Sequence, residues 1–66
     1  MSEQINKDFR QEREALGLSQ IDAGMLIGVS RVTYIKWEQE PDTMPIGKYE
    51  QLIREFARLR ELAEQE

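Results

Sequence analysis

The stretch GLSQIDAGMLIGVSRVTYIKWEQE, residues 17–40, decides the fold of this chain. Two serines in it mark helix starts, because the hydroxyl of a serine N-cap satisfies free backbone N–H groups of the first turn. Ser19 is followed three residues later by Asp22, a shortened capping box, and Ser30 is the second cap. Gly28 ends the helix that begins after Ser19, two residues before the second cap at Ser30. The pattern predicts two short helices joined by a tight turn, which is a helix-turn-helix unit.

Helix signals on either side of this unit complete an all-α prediction. Glycines and prolines divide the chain into helical segments, and the alternation typical of strands is nowhere sustained. The last segment begins near Pro45, which suits a first helical turn, and no helix breaker follows Gly47. We therefore predict four helices, or five if the last one breaks, over about residues 7–16, 20–27, 31–39 and 46–63.

Apolar residues at helical spacing give these segments a common core. In the third helix Tyr34 and Trp37 lie on the face that we predict to be buried. The first helix has a stripe of Phe9, Arg13 and Leu16, and an arginine on such a stripe needs a partner. The core-facing residues that we predict for the last helix are Tyr49, Leu52, Ile53 and Phe56.

The other face of the third helix combines cations with β-branched apolar residues. It presents Arg31, Val32, Ile35 and Lys36 close to the capped helix start. Arginine and lysine pair with guanine O6 and N7, and valine or isoleucine contacts a thymine methyl group. The helix start and Ser30 can meet a phosphate. The face is therefore predicted to read DNA bases, although a solvated surface or a protein interface has the same composition.

The net charge of −4, from 13 acidic and 9 basic residues, argues against a polyanion partner when the chain is taken as a whole. When the chain is divided into residues 1–16, 17–37, 38–49 and 50–66, the formal charges are −1, +1, −2 and −2, so 17–37 is the one segment of these four with a positive balance. We expect low affinity for DNA of random sequence, because such binding depends on phosphate neutralisation.

The composition of the 66 residues also limits the class of protein. One domain is expected at this length, and the absence of cysteine and histidine excludes disulfides and the usual zinc ligands. We find no nucleophile–base pair and no phosphate-binding glycine loop, so we expect no enzyme, metal, cofactor or small-molecule ligand. No signal peptide or membrane-length apolar run is present, which predicts a cytoplasmic location.

The same stretch resembles the Cro/CI-type, or XRE, family of helix-turn-helix regulators. The family pattern reads approximately G-L-S-Q-x-x-[LA]-A-x-x-[LI]-G-V-S-x-x-T-[IV]-x-x-[WI]-E. The residues that satisfy it are Gly17, Leu18, Ser19, Gln20, Ala23, Ile27, Gly28, Val29, Ser30, Thr33, Trp37 and Glu38. The resemblance covers about residues 9–56 and implies a lambda-repressor-like helix-turn-helix bundle.

The resemblance also implies roles for individual residues. The base-reading residues that it implies are Arg31, Val32, Ile35 and Lys36. The phosphate-contacting residues that it implies are Gln20, Ser30 and Thr33, and Gln20 would also brace the recognition helix. Arg13 and Glu38 match a buried structural ion pair, which would provide the partner that Arg13 needs.

Three departures from the family pattern affect the packing. Gly24 replaces a usual alanine, at a cost of about 1 kcal/mol in helix propensity. Gln39, Glu40 and Pro41 replace the usual exit from the third helix. Ile21, Met25 and Leu26 are apolar where polar residues are common. Either the C-terminal helix covers them, or that helix makes a dimer contact through a seam of Leu52, Phe56, Leu59 and Ala63.

We expect one domain over residues 1–66, with the helix-turn-helix unit at about 19–39 and a candidate dimerisation element at about 46–63. The predicted function is repression of transcription by a homodimer bound to double-stranded operator DNA. The alternative is a protein-binding module on the same fold, such as an antitoxin-like or antirepressor partner, and a protein antagonist would suit either. The operator, the regulated gene and the origin of the chain stay open.

Overall fold

The computed structural model describes residues 8–65, in which all regular structure is helical. The elements are α1 (Phe9–Ala15), α2 (Gln20–Leu26), α3 (Arg31–Gln39), a 3₁₀ turn (Pro41–Thr43) and α4 (Ile46–Glu64). The prediction of four α-helices is confirmed, and α4 continues without a break. Lys7, where the sequence predicts the first helix to begin, lies outside the described residues.

Backbone capping fixes both ends of α2. Ser19 Oγ accepts a hydrogen bond from Asp22 N at 3.0 Å, and Asp22 Oδ2 accepts one from Ser19 N at 3.2 Å. At the other end Gly28 has a φ of +74°, a left-handed conformation that favours glycine. Val29 N then donates to Gly24 O at 2.9 Å and completes a Schellman motif. The predicted capping box is therefore confirmed, and the helix ends at Leu26, one residue earlier than predicted.

Side chains from all four helices and from the 3₁₀ turn's exit form the core. Tyr34 and Trp37 are buried, as predicted, and the ring of Phe9 meets Tyr34 edge-on with the centroids 5.9 Å apart. Met44, which follows the 3₁₀ turn, is also buried and was not predicted. The buried apolar residues are Phe9, Ala23, Ile27, Tyr34, Trp37, Met44, Leu52 and Phe56.

Gly24 lets α2 and the start of α3 approach each other closely. A Cβ atom on Gly24 would stand 2.9 Å from Val29 O and 3.5 Å from Tyr34 Cβ. The sequence-based view of Gly24 as a loss of about 1 kcal/mol of helix propensity was therefore incomplete, because the backbone leaves no room for the usual alanine.

The C-terminal half of α4 covers α2 only in part. Leu26 is half-buried, whereas Met25 remains 71% exposed and Ile21 50% exposed. The alternative prediction, a dimer contact through the seam that begins with Leu52 and Phe56 on α4, was wrong. Both side chains are fully buried in the core of a single molecule and cannot contact a second one. None of the helices among residues 8–65 has the length and apolar character needed to cross a membrane.

Candidate nucleic-acid interface

Serine and threonine hydroxyl groups organise the start of α3. Ser30 Oγ accepts a hydrogen bond from Thr33 N at 3.2 Å, which is the N-cap that the sequence predicts. The Ser30 hydroxyl also donates to Thr33 Oγ1 at 3.1 Å. Both predicted phosphate-contacting hydroxyl groups therefore lie together at the end of α3 where the helix dipole is positive.

The structure brings the predicted base-reading residues onto one side of α3. Arg31 and Lys36 are exposed, and Val32 is 74% exposed, so these three side chains form a solvent-facing surface. Ile35 is half-buried and lies at the edge of that surface. Within residues 8–65 neither Arg31 nor Lys36 forms an ion pair. Both cations are therefore free to meet an external anion.

Arg13 and Glu38 join α1 to the C-terminal half of α3. Arg13 Nε donates to Glu38 Oε2 at 2.7 Å and Nη2 donates to Oε1 at 3.3 Å, a two-point contact. Arg13 Nη1 donates to the carbonyl oxygen of Leu18 at 2.8 Å. The two charged side chains are only 10% and 4% exposed. The pair is thus enclosed and satisfied, and it fixes α3 against α1 and the loop before α2.

Gln20 adds α2 to the same network. Its Nε2 donates to Glu38 Oε1 at 3.0 Å, so the first residue of α2 is tied to the end of α3. An amide nitrogen carries two hydrogens, and the second remains for another acceptor. The geometry is compatible with bracing of α3 and with a phosphate contact by one and the same side chain.

The network keeps Glu38 ionised. Burial by itself would raise the pKa of Glu38, but the hydrogen bonds and charge of its neighbours, above all Arg13, lower that pKa overall. The hydrogen bond to Glu38 raises the pKa of Arg13. Burial and the nearby carboxylate raise the pKa of Tyr34, whose buried hydroxyl has no hydrogen bond of regular geometry in the described part of the chain. A charged Arg13–Glu38 pair beside a neutral Tyr34 is the stable arrangement.

Lys48 is a residue of this region that the sequence interpretation missed. Its Nζ donates to the carbonyl oxygen of Ile27 at 2.9 Å, which places a cation at the C-terminal end of α2. The contact links the first turn of α4 to the turn between α2 and α3. A lysine that follows a Pro-Ile-Gly sequence carries no signal for such a contact, because the partner is a backbone carbonyl far away in the chain.

Comparison with protein families identifies the family of the helical unit. Residues 9–45 match a family model described as Helix-turn-helix, a range that contains α1, α2, α3 and the 3₁₀ turn and is more than half of the chain. Searches of curated proteins and of solved structures gave no significant match.

Proposed function

Because this chain belongs to the XRE, or Cro/CI-type, family of helix-turn-helix regulators, we propose that it represses transcription as a homodimer that reads an operator through α3. The observation that carries this proposal is the exposed surface of Arg31, Val32 and Lys36 on a capped helix whose opposite side is buried. An α-helix fits the major groove of B-DNA, where these side-chain types distinguish base pairs.

Each side chain on the reading surface has a distinct proposed role. Arg31, in the first turn, reaches a guanine edge with two hydrogen bonds, and Lys36 reaches another base edge from the next turn. Val32 lies between them and contacts a thymine methyl group. Ile35, half-buried at the edge of the surface, adds a smaller apolar contact.

Backbone phosphates would be held at both helix starts. Ser30 and Thr33 have hydroxyl groups at the start of α3. The Ser30 hydroxyl, which donates to Thr33 Oγ1 in the free protein, can donate to a phosphate oxygen instead, and so can the Thr33 hydroxyl. Gln20 offers its second amide hydrogen from the start of α2. Such contacts set the position of α3 in the groove but do not select a sequence.

The Arg13–Glu38–Gln20 network supports recognition by holding α3 rigid. It fixes the end of α3 that lies away from the capped start, so both ends of the helix are set before DNA arrives. A preorganised surface loses less conformational entropy on binding.

The test is selection of bound sequences from a random DNA pool in vitro. We expect enrichment of a two-fold symmetric site whose halves lie one helical turn, about 10–10.5 bp, or a multiple of it apart. Arg31→Ala should then weaken binding by about 1–3 kcal/mol and relax the preference at one base of each half. Arg54→Ala, which removes the same charge from an exposed position on α4, is the control and should keep every base preference. Failure to enrich any sequence, or an unchanged preference in Arg31→Ala, would contradict the proposal.

A further inference from the structure

An open apolar groove runs between α2 and the C-terminal half of α4. Its lining comprises Leu18, Asp22, Met25, Leu26 and Leu59, and its volume is about 540 Å³. Pockets of roughly 300–1,000 Å³ hold ligand-sized groups, so side chains of a second molecule fit this space. We call it the α2–α4 groove.

Large apolar side chains protrude beside the α2–α4 groove. Met25 is 71% exposed, and Ile21, one helical turn earlier on α2, is 50% exposed. Leu62, one turn beyond Leu59 on α4, is 49% exposed. A protruding apolar ridge therefore lies next to an apolar depression that the described residues, 8–65, leave open.

We propose that the α2–α4 groove is the interface of the homodimer and is filled by a second copy of this chain. This inference rests on the proposed function, since it assigns a surface to the dimer invoked there. A two-fold axis brings the same patch of each copy together, so a ridge beside a groove is self-complementary. Each Met25 enters the groove of the other copy, where a flexible thioether side chain adapts to the shape.

The charges at the rims of the α2–α4 groove agree with two-fold pairing. Asp22 lines the groove from α2, and Arg58 shares a face of α4 with Leu62, four residues later. In a pairing whose two-fold axis runs along the groove, α2 of one copy lies against α4 of the other, which brings Asp22 of each copy towards the face of α4 that carries Arg58 in the second copy. Arg58 already donates to Glu55 at 2.7 Å, and its remaining N–H groups are available because the side chain is 56% exposed.

This interface leaves the DNA-reading surface free. Gly24 lies on the face of α2 that packs closely against the turn and α3. Asp22 lies roughly 160° around the helix from Gly24 and points away from α3, and Met25 lies about 100° away and points to the side of α2. Arg31 and Lys36 therefore remain exposed in both copies of the dimer.

Sedimentation equilibrium without DNA tests the interface. We expect the wild-type chain to reach twice its 7.8 kDa mass with rising concentration. Met25→Glu should raise the dimer dissociation constant about tenfold or more, because it places a charge in the apolar contact. The matched control is Ile46→Glu, which changes an apolar residue that is 54% exposed but outside the groove, and should leave the constant unchanged. Circular dichroism on each variant shows whether the helices are retained.

Charge reversal provides a second, independent readout. Asp22→Arg and Arg58→Asp should each weaken the dimer, and the double variant should restore it. Restoration also separates the interface from the role of Asp22 in the capping box, since a lost cap would not recover.

A wild-type chain that stays monomeric, equal effects of Met25→Glu and Ile46→Glu, or a double variant as weak as the singles would overturn the inference. Binding of some other protein in the groove would do the same. A wild-type dimer that Met25→Glu does not weaken would contradict the interface alone, whereas an intact dimer that selects no DNA sequence would contradict the proposed function alone.

Discussion

Gly24 and Gly47 are both helical glycines, but only Gly24 has a neighbour where a Cβ atom would stand. For Gly24 that neighbour is the backbone oxygen of Val29 at 2.9 Å, whereas at Gly47 no atom outside the adjoining helix backbone lies within 4 Å. We expect Gly24→Ala to destabilise the protein, because overpacking against backbone costs about 1–3 kcal/mol and exceeds the gain in helix propensity. Gly47→Ala should stabilise it by about 0.4–1 kcal/mol, because alanine reduces the freedom of the unfolded chain.

Urea unfolding of the two variants measures these free energies under the same conditions. The same substitution in the same helical conformation should change the midpoint in opposite directions. A stabilised Gly24→Ala variant would show that the turn after α2 relaxes freely, which the Schellman motif in the structure does not favour.

Glu38 makes the stability of the domain depend on pH. Because its folded-state pKa is lowered overall, the stability that it contributes is complete above its unfolded-state pKa of about 4.3 and is lost as the pH falls through the folded-state value. At pH 7 Glu38→Gln should cost about 3–5 kcal/mol, since it leaves the buried Arg13 charge unpaired. The difference between wild type and variant should shrink on acidification.

Chemical unfolding from pH 7 down to pH 3 tests this dependence. Glu61→Gln removes an exposed carboxylate and is the control, with little difference from wild type at any pH. A Glu38→Gln deficit that is constant from pH 7 to pH 3 would mean that the carboxylate is not the group responsible.

At the same scale, the sequence predicts which residues carry charge and chemistry better than it predicts their contacts. Arg13 on an apolar stripe signals a missing partner, and the family resemblance names Glu38. The resemblance also predicts that Gln20 braces α3, without naming Glu38 as its partner. The contacts of Arg13 with the Leu18 carbonyl and of Lys48 with the Ile27 carbonyl carry no such signal. They depend on how helix ends pack against each other in the folded protein, and no local sequence pattern predicts that packing.

At the scale of the element, the start of α3 has a structural and a proposed DNA-binding role that one substitution can separate. Aspartate is as good an N-cap as serine and favours the helix dipole, so Ser30→Asp should keep the stability within about 0.5 kcal/mol. The same carboxylate would stand where we propose a phosphate, and it should weaken DNA binding at least about tenfold. Ser30→Ala should instead lose about 1 kcal/mol of stability and retain more of the DNA affinity.

Thermal unfolding and DNA titration of both variants give the two readouts. The proposal requires the two measurements to rank the variants differently: Ser30→Ala should be the less stable variant, and Ser30→Asp should bind DNA more weakly. If Ser30→Asp bound DNA as well as wild type does, no phosphate would lie at the start of α3.

Also at this scale, the sequence predicts the bounds of α2 and α3 to within one residue, because serine caps and Gly28 are local signals. The 3₁₀ turn at Pro41–Thr43 and the burial of Met44 do not, since they arise from the reversal that lays α4 back on the core. The seam on α4 shows the limit of periodicity: Leu52 and Phe56 share a stripe with Leu59, but the stripe enters the core at one end and reaches solvent at the other.

Across the whole molecule, ion pairs engage several arginines outside α3, whereas two exposed cations of α3 stay unpaired among the described residues although the net charge is −4. Four arginines of the described residues lie within ion-pair distance of glutamates, namely Arg10, Arg13, Arg58 and Arg60. Arg31 and Lys36 have no such partner within residues 8–65. The electrostatic potential at the exposed surface of α3 therefore depends on these unpaired cations and on the distant acidic residues. The acidic residues act through solvent, so salt screens their contribution.

The separation between the cations of α3 and the acidic end of α4 predicts how neutralising that end changes DNA binding. The double variant Glu61→Gln, Glu64→Gln removes two exposed carboxylates from the last turns of α4. At 10 mM salt, where the Debye length is about 30 Å, it should bind operator and random duplex more tightly than wild type by the same factor. At 150 mM salt, where that length is about 8 Å, the gain should vanish.

Titrations at both salt concentrations measure the ratio of operator to random affinity, which Arg31→Ala should lower and the glutamate variant should preserve. A changed ratio in the glutamate variant would show that α4 takes part in reading the sequence, and a gain that persists at 150 mM would place its carboxylates against the DNA.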